Sequence, residues 1–132
     1  YWLDLGTPKK YMRAHKDILI GKLKIVNHDF KARPHYISRT AKIHRNAKIL
    51  GPIYIGDNVE VSDFAVVGPD TVLCDGSCVE AGARVAGSVV WDHVNVGKEA
   101  SIKDSVVMSN CKVHRNSRAY NTILTRDSNY SL

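Results

Sequence analysis

With 132 residues and 44% hydrophobic content, the chain suits one folded domain, and it holds no apolar run near the ~20 residues of a membrane span. Its start lacks a secretory-signal layout, so the expectation is a cytoplasmic location with no membrane contact. The net charge of +6 is uneven, with 12 Lys/Arg against 3 Asp/Glu in residues 1–48 and 7 against 10 beyond; because the basic residues are scattered and carry no binding motif, they exclude nucleic acid and suit a phosphorylated substrate or an acidic partner.

Residues 1–21 read as a strand end, a turn and a helix. YWLDLGTP turns at Gly6, Thr7 is a good N-cap and Pro8 a good first helical residue. Over residues 8–20, Tyr11, Ala14, His15 and Ile18 share one helical face, and Gly21 suits the position that ends the helix. This piece is too small to fold alone, which marks it as the end of a larger preceding domain. Residues 22–36 form a linker or arm whose Leu23, Ile25 and Phe30 are expected to pack on the coil that follows.

From Ile37 the chain is a repeat, the domain expected over residues 37–132. An aliphatic residue returns at Ile43, Ile49, Ile55, Val61, Val67, Leu73, Val79 and Val85, six positions apart, then at Val90, Val96, Ile102, Val107, Val113, Ala119 and Leu124 after steps of five or six. Four positions after each stands a residue that is small, β-branched or, once, Cys. That second column begins Ala41, Ala47, Ile53, Val59, Ala65, Thr71, Ser77 and Ala83, and continues Val89, Val94, Ala100, Val106, Cys111, Ser117, Ile123 and Ser128. A six-residue period fits neither a helix nor a plain strand; it fits a short strand plus a corner, wound so that rungs stack. Both columns are expected to face the axis. Residues tolerant of φ > 0 precede the second column at Asn46, Asn58, Asp70, Gly76, Gly82, Asn110 and Asn116, as a corner demands. Three rungs per turn give about five coils starting at Ile43, Val61, Val79, Val96 and Val113. After the last rung come Tyr130 and Leu132 with no capping helix, so exposed strand edges are expected there.

The segments IGDNVE, VGPDTV and VGKEAS resemble the hexapeptide repeat of left-handed parallel β-helix proteins. The left hand is implied by that resemblance, since general crossover rules favour the right hand. YWLDLGTPKKYMRAHKDIL is similar to the segment closing the catalytic domain of sugar-phosphate nucleotidyltransferases, where W-x-D-x-G-T precedes a helix. GSVVW, DSVVM and NTIL are similar to rungs in the β-helix tails of the mannose-1-phosphate guanylyltransferase-like members. The resemblance implies a parent enzyme in which a sugar 1-phosphate attacks the α-phosphorus of a nucleoside triphosphate. A nucleotide sugar forms and pyrophosphate leaves, with GTP and mannose 1-phosphate giving GDP-mannose as the leading pair. It also implies Mg²⁺ held by carboxylates, one of them Asp4. The other half of the family's site, a G-x-G-[ST]-R loop followed by Lys, is absent from these residues. The chain alone is therefore expected to be inactive and to bind no cofactor. Its β-helix is expected to serve homo-oligomerisation or regulation beside the missing N-terminal catalytic domain.

Two rival readings come from the same fold: a hexapeptide acyltransferase using acyl-coenzyme A and a His base, and a non-catalytic structural assembly module. His93, at a corner in WDHV, is the weak alternative for the base, although no loop long enough for an acyl carrier interrupts the coils. His44 and His114 occupy one column four coils apart, too far for a shared zinc ion. Cys111 reads as a small core residue, while Cys74 and Cys78, flanking a corner, are weak as metal ligands. Trp91, Tyr120, Tyr54 and Phe64 lie outside the inward columns and are expected to form a surface contact patch.

Overall fold

The computed structural model describes residues 35–126, the strand Asn129–Ser131, and Arg13 and Asp17, both helical. The expected strand end, turn and helix of residues 1–21, and all but the last two residues of the 22–36 arm, otherwise lie outside the described residues, as does Ser128.

Short strands separated by corners wind into a parallel β-solenoid of about five turns with three faces. Face A stacks His35–Ile37, Ile53–Ile55, Thr71–Leu73, Val89–Val90, Val106–Val107 and Thr122–Leu124. Face B stacks Lys42–Ile43, Glu60–Val61, Cys78–Val79, Asn95–Val96 and Lys112–Val113; face C stacks Lys48–Ile49, Val66–Val67, Arg84–Ala86, Ser101–Lys103 and Arg118–Tyr120. The expected register holds, with Ile43, Val61, Val79, Val96 and Val113 in one line and Val85, Ile102 and Ala119 in another. Along these lines the aliphatic column is buried from Ile55 to Leu124 in one continuous core. Each such side chain contributes about 1.5–3 kcal/mol relative to exposure. Ile37 is 41% exposed, and Ile43, Ile49, Ala41 and Ala47 are only half-buried. No preceding coil lies over faces B and C there among the described residues.

The second column departs from expectation at Val89, Val106 and Ile123. Val89 is in register with Val72 and Val106, and Val106 with Ile123, so all three point outward. The inward places on those coils belong to Ser88, Ser105 and Thr122, in line with Thr71. The reason is where the seventeen-residue coils lose a residue. The corner between faces C and A shortens from Gly68-Pro69-Asp70 to Ala86-Gly87 and Lys103-Asp104. The inward place held by Thr71, two before Leu73, is therefore taken by Ser88, two before Val90, and by Ser105, two before Val107.

These inward hydroxyls are all satisfied, as buried polar groups must be. Thr71, Ser88, Ser105 and Thr122 each donate to the carbonyl two residues back, at 2.9, 2.7, 2.9 and 2.8 Å. Ser88 Oγ also accepts the Ser105 N–H, and Ser105 Oγ the Thr122 N–H, both at 3.1 Å. The ladder thus carries backbone donors across the tightened corner.

Positive φ occurs at Asn58, Asp70, Gly76, Gly82, Asn110 and Asn116 as expected, and also, among others, at His93 and at Phe64 and Glu99, two residues that do not favour it. Asn46 is not among them; its N–H bonds instead to His44 Nδ1 at 3.1 Å. Gly97 serves close approach rather than positive φ, because a Cβ there would come within 2.6 Å of Val113 O and Arg115 N on the next coil.

At the far end the chain turns back. Asn129–Ser131 pairs antiparallel with Thr122–Leu124 and covers the last edge of face A. Lys112–Val113 and Arg118–Tyr120 have no strand beyond them among the described residues.

Candidate functional site

The corners between faces B and C carry a groove of about 830 Å³, lined by Lys42, His44, Glu60, Asp63, Glu80 and Lys98 among others. Its side chains come from adjacent coils because the corners stack. His44, Ser62 and Glu80 follow the aligned residues Ile43, Val61 and Val79 by one position. The His44 Nδ1 lies 3.3 Å from Asp63 Oδ1, an oxygen shielded from solvent and without a hydrogen bond. The same Nδ1 accepts the Asn46 N–H, so it can bond that amide or, protonated, Asp63, but not both. Both side chains are half-exposed, and such a pair contributes at most about 1 kcal/mol. Glu80 is held by Asn95 Nδ2, which donates to its Oε2 at 2.6 Å.

This arrangement can hold a polar ligand of mixed charge, but it lacks an activated nucleophile. Cys78 lies beside it on face B, and there burial, then Glu60 and Glu80, push the thiol up from 9.0, away from the reactive thiolate. Tyr54 is likewise kept neutral: burial, then Asp75, Tyr36, Cys74 and Asp57, push its phenol from 10.0 to about 12. Among the described residues no three His, Cys, Asp or Glu side chains converge as a metal site. Cys74, Cys78 and Cys111 are free thiols, and Cys111 is a core residue, as its column position indicated.

Of the sequence candidates, Asp4 lies outside the described residues. His93 stands exposed at the corner between faces A and B, its ring packed against Gly76. Its N–H bonds to Asp75 O at 3.0 Å, while its imidazole makes no hydrogen bond or ion pair with the described residues. His44 and His114 share one column four coils apart, about 19 Å at one strand spacing per coil. Among the described residues no connection between consecutive strands exceeds four residues, and none of these protrudes as a loop for an acyl carrier.

The four aromatics do not form one patch. Phe64 (67% exposed) stands at a corner between faces B and C and Tyr120 (51%) on face C, whereas Tyr54 is buried on the outer side of face A with Trp91 half-buried beside it. The pairing of His44 with Asp63 escaped the sequence reading, although their offsets from Ile43 and Val61 were the signal that could have found it. No helix among the described residues is long and apolar enough to cross a membrane.

Residues 49–131 match the family described as GMPPB C-terminal domain. Among curated proteins, the chain is 26% identical to mannose-1-phosphate guanylyltransferase 1 of Arabidopsis thaliana over 132 residues, 99% of this chain and 33% of that protein. It is 27% identical to a UTP–glucose-1-phosphate uridylyltransferase of Synechocystis, covering 80% of this chain and 28% of that protein. With a glucose-1-phosphate adenylyltransferase of Desulfitobacterium hafniense it shares 25% identity, covering 94% and 27%. The chain thus spans about a third of the length of the curated relatives it matches, and these relatives are sugar-phosphate nucleotidyltransferases. A β-solenoid whose coils stack in the register described above, matched over most of its length, belongs to the GMPPB C-terminal domain family.

Proposed function

We propose that this chain is the support and assembly domain of a sugar-1-phosphate nucleotidyltransferase, with GTP and mannose 1-phosphate as the substrates that yield GDP-mannose. The observation that carries this reading is the family match over a solenoid that, in its described residues, presents grooves and stacked faces but no reactive constellation. In this reading residues 1–21 close the catalytic domain, residues 22–36 link, and residues 37–132 form the solenoid. Asp4 supplies one carboxylate toward Mg²⁺; a single carboxylate is a poor site for that ion, so its other ligands and the phosphate cradle belong to the rest of the parent. The protein works in the cytoplasm, without nucleic acid or membrane.

The domain also brings copies of the parent together. The half-buried first coil and the last strands of faces B and C, unpaired among the described residues, support this role, because uncovered edges favour association. Incubating the 132-residue chain with GTP, mannose 1-phosphate and Mg²⁺ is expected to release no pyrophosphate, while the full parent does so and Asp4→Asn in that parent loses at least tenfold. Turnover by the chain alone would overturn the reading. Light scattering should report a mass above one chain; a monomer at high concentration would remove the assembly role.

A further inference from the structure

The last coil differs from those before it in its charge and in what its backbone offers. From Val107 to Arg126 the chain holds Lys112, His114, Arg115, Arg118 and Arg126 but no Asp or Glu. Lys112, His114, Arg115 and Arg118 are exposed, as is Lys98 on the coil before. Arg115 follows Val113 by two positions as Lys98 follows Val96, so their backbones lie one coil apart, about 4.8 Å. Among the described residues none of Lys98, Lys112, Arg115 and Arg118 lies within ion-pair distance of a carboxylate. Along this corner Glu80 accepts from Asn95 Nδ2 at 2.6 Å, and Glu99 packs on Gly82, on the side away from the last coil.

The backbone reinforces the positive charge. Strands of faces B and C send N–H groups to carbonyls of the following coil: Lys42 to Val59, Cys78 to Val94, Asn95 to Cys111 and Ser101 to Ser117. On the last coil the N–H groups of Lys112, His114 and Arg118 meet no such carbonyl among the described residues. Free N–H donors at a sheet edge, surrounded by cations, are suited to an anion.

Two hollows meet at this end. One, about 310 Å³, lies where Gly97 interrupts the column of Glu80 and His114, between Asn95, Lys98, Lys112 and Arg115. A side chain on residue 97 cannot fill it, because a Cβ there would come within 2.6 Å of Val113 O and Arg115 N. The other, about 120 Å³, shares Lys112 and His114 and adds Ser117, Arg118 and Thr125. Hollows of this size hold one compact ligand rather than several residues of an acidic peptide. A second copy's first coil, stacked on in register with nothing between, would set Lys42 on Lys112, Arg45 on Arg115 and Lys48 on Arg118. Like charges directly opposed oppose that contact.

We propose that the far end of faces B and C is a binding site for a small phosphomonoester. Lys112, Arg115 and the His114 N–H hold the phosphate, with Lys98 and Arg118 on either side. The planar Arg115 fork offers paired donors to two phosphate oxygens. Across the Gly97 notch, Glu80 and Asn95 accept hydroxyls of the attached body. The inference stands on charge, register and cavity and does not rest on the proposed reaction.

The test titrates the 132-residue chain with inorganic phosphate and with mannose 1-phosphate, read by amide shifts in NMR spectra. Saturable shifts of the Lys112, His114 and Arg118 amides are expected, with those of Lys42 and His44 unmoved. Lys112→Gln combined with Arg115→Gln should weaken both probes at least tenfold. Lys42→Gln combined with Arg45→Gln, the same places on the first coil, should change them less than twofold. Mannose 1-phosphate should bind at least threefold more tightly than phosphate, and Glu80→Ala should remove that advantage without weakening inorganic phosphate. Affinity unchanged in the Lys112 and Arg115 double variant, shifts spread evenly over both ends, or equal affinity for the two probes would overturn the proposal. So would saturable binding of a polyglutamate peptide with none of phosphate, which would assign this end to an acidic protein.

Discussion

Faces A and C stand on the same coils, share one core and have the same pleat, yet their outer sides follow opposite rules. The outward positions of face A are apolar and buried, so that sheet is sandwiched between two hydrophobic layers. Those of face C are mostly basic or polar, and its inner side alone is packed. The contrast shows that a solenoid needs only its axis filled. The second apolar layer on face A is an addition to that requirement.

The comparison can be broken most severely from within. Ile102→Asp places an unpaired carboxylate on the axis and should cost at least ~4 kcal/mol, seen as loss of the cooperative unfolding transition. Val89→Asp, on the outer layer of face A, should cost about 2–3 kcal/mol by chemical denaturation while the parallel β signature persists. A cost equal to that of a face C variant would show that the outer layer contributes nothing. Ser105→Ala removes the acceptor of the Thr122 N–H and should cost about 1–2 kcal/mol, with faster exchange of that amide.

The Tyr54 phenol supplies a pH handle on the same layer. Its proton is held to about 12 in the fold against 10.0 in the unfolded chain. Its contribution is therefore complete below pH 10 and falls as pH rises from 10 toward 12. Tyr54→Phe should flatten the decline in unfolding midpoint over that window, whereas Tyr120→Phe, on exposed face C, should not. Arg84→Ser, at the outward place on face C equivalent to that of Val89 on face A, should stay within about 0.5 kcal/mol.

The inward aliphatic column was legible because a charged or bulky side chain at any of those places would disrupt the axis, so the pattern stayed clean through every coil. The Val89 column was misread for a definite reason. Both Val89 and Val90 satisfy an apolar pattern, and a coil one residue short can lose it from strand or corner alike. The polar series Thr71, Ser88, Ser105 and Thr122 held the answer, since hydroxyls that close on a nearby carbonyl suit a tight inner corner. The corner conformations were legible at Asn58, Asp70, Gly76, Gly82, Asn110 and Asn116 and invisible at Phe64 and Glu99, residues that do not favour positive φ. Of the candidate groove, the column places of His44, Asp63 and Glu80 were readable. Their shared cavity, and the competition of Asn46 and Asp63 for one imidazole nitrogen, were not.

The amino-acid order by itself determined the solenoid, its coil length and the aliphatic column that lines the axis, because those follow from a period that every turn must obey. Only the tertiary structure decided which face acquired a second buried layer and which stayed in water. Outward positions carry no periodic constraint of their own, so the winding alone does not fix which of them are buried.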